Sequence, residues 1–128
     1  MPLSWATILA IGVGGFLGAI ARAYTIHMTN KIIPLEFPLG VLFVNILGSF
    51  IIGILFSIFA YYTVGETTKA FLTTGFLGAL TTYSTFAIES FFLLETSMIL
   101  GISNMLLNVL GTVLAAASGY KLVNVIIK

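Results

Sequence analysis

The chain has no cysteine and one histidine, and only 7% of its 128 residues are charged. Without cysteine it can form neither a disulfide nor a thiolate metal site. One histidine and four scattered acids cannot assemble a Ser–His–acid triad, a phosphate loop or a metal-ligand cluster. We therefore expect no enzyme. The net charge of +1 gives no reason to expect nucleic-acid binding.

The scarcity of charge indicates a membrane protein, because a soluble domain carries about 25% charged residues. Hydrophobic residues make up 59% of the chain, and the nine charges leave uncharged windows at residues 3–21, 37–65, 70–88 and 96–120. A bilayer crossing needs roughly 20 apolar residues. The sequence predicts one all-α membrane domain over residues 1–128, with transmembrane helices at about 3–24, 39–62, 69–94 and 97–125. With no basic leader, we expect no removable signal peptide.

The third of these segments is unusual in its middle. Five consecutive residues, Thr81 to Thr85, each carry a hydroxyl group, and they follow Gly75 and Gly78. Hydroxyl side chains compete for backbone hydrogen bonds, and glycine adds backbone freedom. The pattern predicts a helix that is broken halfway across the membrane. Non-helical backbone at that depth persists only where protein buries it or where it lines a wet cavity, and such breaks can hold ions.

Polar residues on the first two helices have two interpretations each. Gly14 and Gly18 form a GxxxG pair, which is typical of close helix packing in lipid. Arg22 lies one turn beyond Gly18 and either extends to the membrane surface, which its position favours, or supports a polar site. Asn45 and Ser49 share a face of the second helix. A buried amide needs a partner, so Asn45 either bonds a neighbouring helix or donates into a pore.

The last two helices leave similar alternatives open. Glu89 follows the predicted break and is either a vestibule carboxylate or an interfacial group. One stripe of small and polar residues runs along the fourth helix: Asn104, Asn108, Gly111, Thr112, Ala115 and Gly119. This stripe either packs against other helices or borders a polar track, and Asn108 and Thr112 fit both.

The charge distribution bears on orientation. With four spans, Lys69, Lys121 and Lys128 lie on one side of the membrane, and Arg22 and Lys31 lie on the other. Three positive charges against two are a weak bias under the positive-inside rule. We therefore favour insertion in both directions, with two copies pairing as an antiparallel, two-fold homodimer. A single orientation set by other signals is the alternative.

Three runs together resemble the fluoride channels of the Fluc (CrcB) family. They are GGFLGAIAR at residues 14–22, VNILGSF at residues 44–50 and GFLGALTTYSTFAIE at residues 75–89. The likeness extends over nearly the whole chain, and the third run is the most distinctive. The resemblance implies a dual-topology dimer in the inner cell membrane, with two parallel pores that let cytoplasmic fluoride leave passively and exclude chloride.

The resemblance also implies roles for particular residues. Asn45 matches the pore asparagine, Tyr83 and Phe86 match the two aromatic positions, and Ser84 and Thr85 continue the polar lining. Arg22 and Glu89 match family positions near the pore. A structural Na⁺ at the dimer centre would be held by the backbone carbonyls of Gly78 and Thr81. The full set of candidate pore residues is Asn45, Tyr83, Ser84, Thr85, Phe86, Asn108 and Thr112, with Arg22, Ser49 and Glu89 as polar support.

The chain departs from the family pattern at two positions. Ala79 replaces the second of a usual glycine pair, and Tyr83 replaces the usual first phenylalanine, which adds a hydroxyl to the pore wall. Two other functions remain as alternatives. One is a small assembly subunit whose glycines and asparagines serve helix association only. The other is a small multidrug exporter, which would need a membrane-embedded carboxylate that the first helix lacks.

Overall fold

The structure, a computed structural model, describes residues 3–127, so Met1, Pro2 and Lys128 of the predicted domain lie outside it. Four stretches are long and apolar enough to cross a membrane: Trp5–Ile32, Leu39–Tyr61, Glu66–Thr96 and Met98–Ile127. The predicted all-helical membrane protein with four spans is confirmed. In chain order the elements are α1 (Trp5–Ile32), α2 (Leu39–Tyr61), α3 (Glu66–Ala70), a π-helix (Phe71–Leu77), α4 (Gly78–Leu80), α5 (Tyr83–Thr96) and α6 (Met98–Ile127).

Helix α1 continues well past the end that we expected near residue 24. It ends at Ile32, so His27 and Lys31, placed in a loop by the sequence, are helical. Residues 24–32 include polar side chains but no proline or glycine, and polar side chains alone do not end a helix. The first true breaker is Pro34, which disfavours helical backbone at the residue before it. The expected loop therefore shrinks to the segment between Ile32 and Leu39.

The molecule is apolar outside and polar at several points inside. Large apolar side chains such as Trp5 (80% exposed), Ile99 (78%) and Phe16 (67%) lie on the outer faces of the helices. The buried hydrophobic cluster is small and consists of Val44, Leu77 and Leu80. Such an exterior is expected when lipid chains surround the molecule, because apolar side chains then gain little from packing against other helices.

Glycines bring the helix backbones into direct contact. A Cβ atom at Gly18 would overlap the Phe76 carbonyl in the π-helix, and one at Gly14 would crowd the carbonyl of Phe71. At another helix contact, Gly119 of α6 lies against the carbonyl of Phe50 on α2. The packing interpretation of the Gly14–Gly18 pair is therefore confirmed, and its partner is the first half of the third segment.

The third segment, Glu66–Thr96, is interrupted at Thr81 and Thr82. Both residues have extended backbone, with φ −85° and ψ 158° at Thr81 and φ −147° and ψ 118° at Thr82. Helix α5 then restarts with the Thr82 hydroxyl accepting a hydrogen bond from the Thr85 amide. The run of hydroxyl residues thus predicted where the helix is interrupted. The depth of this interruption in a bilayer stays a prediction.

Candidate functional site

A groove of about 320 Å³ lies beside the interruption, between α2, α5 and α6. One side is open, because Tyr83 (79% exposed), Val113 (63%) and Val109 (50%) form its outer edge. None of the described residues that line it is charged. The lining residues are Asn45, Ser49, Thr81, Thr82, Tyr83, Phe86, Asn108, Val109, Thr112 and Val113.

Asn45 joins α2 to the interruption through both backbone groups of Thr82. The Thr82 amide donates to Asn45 Oδ1 at 2.8 Å, and Asn45 Nδ2 donates to the Thr82 carbonyl at 3.1 Å. Buried backbone groups that lose their helical partners need replacements. The side-chain amide supplies one donor and one acceptor, as a neighbouring β-strand would. Asn45 therefore stabilises the extended backbone directly.

The second Nδ2 hydrogen of Asn45 is also engaged. Asn45 Nδ2 donates to Asn108 Oδ1 at 3.0 Å, and Asn45 is only 7% exposed. An amide nitrogen carries two hydrogens, so Asn45 has none free for an anion in this arrangement. Its role as a pore donor stays a prediction, and that role requires Asn45 to release Thr82 or Asn108.

Some hydroxyl groups in the groove already donate a hydrogen bond, and others do not. Thr81 and Thr112 donate back to carbonyls of their own segments, at 3.1 Å and 2.6 Å. The side-chain hydroxyls of Ser49 and Tyr83 make no hydrogen bond to the described residues 3–127. Their hydroxyl hydrogens are therefore the groove donors that a small anion can meet without breaking an existing bond.

Phe86 and Tyr83 form an aromatic pair at the start of α5. Their ring centroids lie 5.3 Å apart with an interplanar angle of 76°, an edge-to-face arrangement. Phe86 is buried at 6% exposure, whereas Tyr83 projects outward. The edge of an aromatic ring carries partial positive charge. Both rings lie at the groove, and their role in a pore stays a prediction.

Two of the predicted pore residues are not part of the groove lining. Ser84 is exposed on α5, and the Thr85 hydroxyl accepts a hydrogen bond from the Thr82 hydroxyl at 3.0 Å. Thr85 therefore belongs to the cap of α5. Asn108 and Thr112, for which packing and a polar track were both open, do line the groove.

Arg22 contacts the interruption and does not simply extend to the membrane surface, which its sequence position favoured. Its Nη1 donates to the Thr81 carbonyl at 3.4 Å across 59 residues of sequence. Glu89, in contrast, forms no hydrogen bond at Oε1 within the described chain, although that atom is buried. The two residues thus differ: Arg22 contacts the interruption, whereas Glu89 is a partly buried acid on α5.

The carbonyls of Gly78 and Thr81 have the chemistry that a hard cation requires. The Thr82 amide would bond Gly78 in an uninterrupted helix, but it donates to Asn45 instead. The Thr85 amide likewise donates to the Thr82 hydroxyl and not to Thr81. Both carbonyls have therefore lost their usual helical partners. Two oxygens are few for an alkali cation, and Arg22 already approaches one of them, so a single chain does not complete a site.

Three residues of this region were not predicted as site residues: Thr82, Ser90 and Asn104. Thr82 provides the backbone that Asn45 binds, and Asn104 Nδ2 donates to the Ser90 hydroxyl at 2.9 Å. Asn104 was visible as a member of the polar stripe on α6. Ser90 follows Phe86 by one helical turn, but a serine within a helix carries no pattern that reveals a distant partner.

The comparisons with known proteins agree on one family. The family model described as "CrcB-like protein, Camphor Resistance (CrcB)" matches residues 9–120. Three similar proteins are each named "Fluoride-specific ion channel FluC". That of Sulfurimonas denitrificans is 51% identical over 94% of this chain and 95% of its own. That of Nautilia profundicola is 44% identical, over 95% and 97%. That of Campylobacter jejuni is 46% identical, over 89% and 94%.

Proposed function

The chain belongs to the CrcB family, and from this premise we propose that it is a fluoride-selective passive channel that exports cytoplasmic fluoride. The observation that carries the proposal is the uncharged groove beside Thr81 and Thr82, combined with relatives of nearly equal length named as fluoride-specific channels. The protein is a multi-pass membrane protein of ion channel type and not an enzyme. In bacteria such a helical protein lies in the inner membrane.

Fluoride is small and strongly hydrated, so a pore must replace its water with donors that do not hold it too tightly. The Ser49 and Tyr83 hydroxyls offer such donors, and the edge of the Phe86 ring offers a weakly positive surface. Because no fixed cation lines the groove, an anion that enters can also leave. A passage narrowed by two aromatic rings also favours the smallest halide.

The open side of the groove suggests that a second copy of the chain completes the passage. We assign the pairing as antiparallel, with two passages per homodimer and the two interruptions meeting at its centre. There, the Gly78 and Thr81 carbonyls of both copies would hold a structural Na⁺, which would balance oxygen dipoles that no helix satisfies. The support is the loss of helical partners at these carbonyls.

The function is tested with the purified protein in liposomes loaded with fluoride and chloride. We expect Phe86→Ile to slow fluoride efflux about fivefold, because the ring edge contributes roughly 1 kcal/mol to such contacts. Phe16→Ile, on the lipid-facing side of α1 at 67% exposure, is the matched control and should behave as the wild type. Unchanged efflux in Phe86→Ile would contradict the assignment. Lost dimer with lost efflux would favour the assembly subunit.

Orientation is tested with single cysteines, since the natural chain has none. Leu35→Cys and Thr63→Cys place one thiol in exposed loops at opposite ends of the bundle. Dual insertion predicts that a membrane-impermeant thiol reagent labels about half of each variant from outside the cell. Complete labelling of one variant and none of the other would show a single orientation.

A further inference from the structure

A continuous chain of hydrogen bonds runs from the interruption through α2 and α6 to Ser90 on α5. We call its four side chains the amide ladder. From Asn45, Nδ2 donates to Asn108 Oδ1 at 3.0 Å, and Asn108 Nδ2 donates to Asn104 Oδ1 at 3.0 Å. Asn104 Nδ2 then donates to the Ser90 hydroxyl at 2.9 Å. The exposed fractions of these side chains run from 0% to 7%, so each bond is sheltered from water.

The direction of the ladder is fixed by backbone groups. The Thr82 amide can only donate, so it must face Asn45 Oδ1, and Asn45 Nδ2 must then face an acceptor. Asn108 therefore presents Oδ1 to Asn45, and its own Nδ2 faces the Asn104 backbone carbonyl as well as Oδ1. No member can flip its amide without placing donor against donor or acceptor against acceptor. In a buried network such bonds also polarise one another.

Both ends of the ladder are attached to the same helix, α5, and its N-cap residue. Thr82 caps the start of α5, and Ser90 lies two turns further along the same helix. Between these two anchor points lie Tyr83 and Phe86, the aromatic pair of the groove. The ladder crosses to α6 and α2 before it returns to Thr82. It therefore restrains both the extended backbone and the rotation of α5 about its axis.

We propose that Ser90 and Asn104 are positioning residues that hold the interruption in its extended form through the rest of the ladder. Neither residue lines the groove, and both act through Asn108 and Asn45. Ser90 is the terminal acceptor. Without its hydroxyl, the buried Asn104 Nδ2 has no acceptor there, so Asn104 shifts to find one and weakens the bonds that hold Asn108 against Asn45.

Amide exchange at Thr82 tests the ladder independently of any transport. The variant is Ser90→Ala, and the matched control is Ser57→Ala. Ser57 is fully buried and bonds Asn124 at 2.9 Å, but it lies twelve residues beyond Asn45, about 18 Å along α2. In NMR-detected hydrogen exchange in lipid nanodiscs, Ser90→Ala should speed exchange at Thr82 about tenfold. Ser57→Ala should leave it unchanged. Equal rates in Ser90→Ala and the wild type would overturn the proposal.

Fluoride efflux from liposomes provides the second arm, which rests on the proposed function. Ser90→Ala should slow fluoride efflux and admit more chloride, whereas Ser57→Ala should do neither, although both lose one buried serine–asparagine bond. Ser90→Thr keeps the hydroxyl and should restore the wild-type ratio. If Ser90→Ala speeds exchange at Thr82 but the wild type releases no fluoride, the channel proposal is refuted and the ladder proposal is supported. Loss of selectivity in both alanine variants would overturn the positioning role.

A second substitution covers the case in which Ser90→Ala does not fold. Where Ser90→Ala fails to give a folded protein, Ser90→Cys takes its place, because the thiol has nearly the same shape and is a weak acceptor. The same increase in Thr82 exchange is expected, and its absence in folded Ser90→Cys contradicts the proposal.

Discussion

At the scale of single residues, one side chain determines whether the interruption can exist in a membrane. At the predicted mid-membrane depth, water cannot reach the amide and carbonyl that extended backbone exposes, and each unsatisfied group there costs several kcal/mol. Asn45 satisfies both groups of Thr82 at once. Asparagine is suited to this because its side chain carries the same donor and acceptor as the peptide group. The sequence left Asn45 as either a packing group or a pore donor. In the structure its side chain binds the backbone of Thr82.

Tyr83 allows the clearest test of which groups meet the anion. Tyr83→Phe removes a free hydroxyl and keeps the ring that packs edge-on against Phe86. A hydrogen bond to a charged group is worth about 1.5–3 kcal/mol, so the fluoride concentration for half-maximal efflux should rise about tenfold or more. Exclusion of chloride should persist because both rings remain. The measurement is fluoride efflux as a function of internal fluoride concentration.

Ser84→Ala is the control for Tyr83→Phe, because Ser84 also carries an exposed hydroxyl but lies outside the groove lining. It should have the wild-type half-maximal concentration. If both variants match the wild type, the tyrosine hydroxyl is not an anion donor.

At the scale of elements, the interruption depends on how tightly the first half of the third segment is held. The π-helix places one extra residue in each turn, and α1 packs against it backbone to backbone through Gly14, Gly18 and Gly75. Such contacts leave no room for a side chain. Arg22 then extends from the same helix to the Thr81 carbonyl. Helix α1 therefore fixes one side of the interruption, and the amide ladder fixes the other.

Gly18→Ala should destabilise the protein, whereas Gly12→Ala on the same helix should not. A methyl group at Gly18 overlaps the Phe76 backbone and must push α1 away, at about 1–3 kcal/mol. At Gly12 nothing lies within 4 Å, and alanine is the better helix former by roughly 1 kcal/mol. Thermal unfolding in detergent should show a lower midpoint for Gly18→Ala only. Equal midpoints for the two variants would mean that α1 is not held as the structure shows.

The sequence predicts some of these elements and misses others for physical reasons. Charge spacing locates the four spans because a bilayer penalises ions wherever they occur. The hydroxyl run locates the interruption because its effect on backbone is local. The π-helix and the contact of Arg22 are not predicted, since each depends on where a distant helix packs. Ser90 is missed for the same reason, because its partner lies 14 residues away on another helix.

At the scale of the whole molecule, the groove differs in polarity from the rest of the outer surface. Most outward faces are uniformly apolar and fit lipid, whereas the groove carries polar groups on an open side. The polar groups among the groove's lining residues would be costly to leave facing hydrocarbon. In the proposed homodimer, a second copy would cover the groove, remove that cost and enclose a passage. The nearly balanced positive charges of the sequence would let that copy insert in the opposite direction, as we propose.

The most direct test of the central claim is efflux from liposomes that contain this chain alone, with internal fluoride and chloride followed in the same vesicles. The account predicts that fluoride leaves while chloride stays inside, because an uncharged, aromatic-lined passage completed by a second copy admits only the smallest halide. Retention of both ions, or release of both at similar rates, would contradict it.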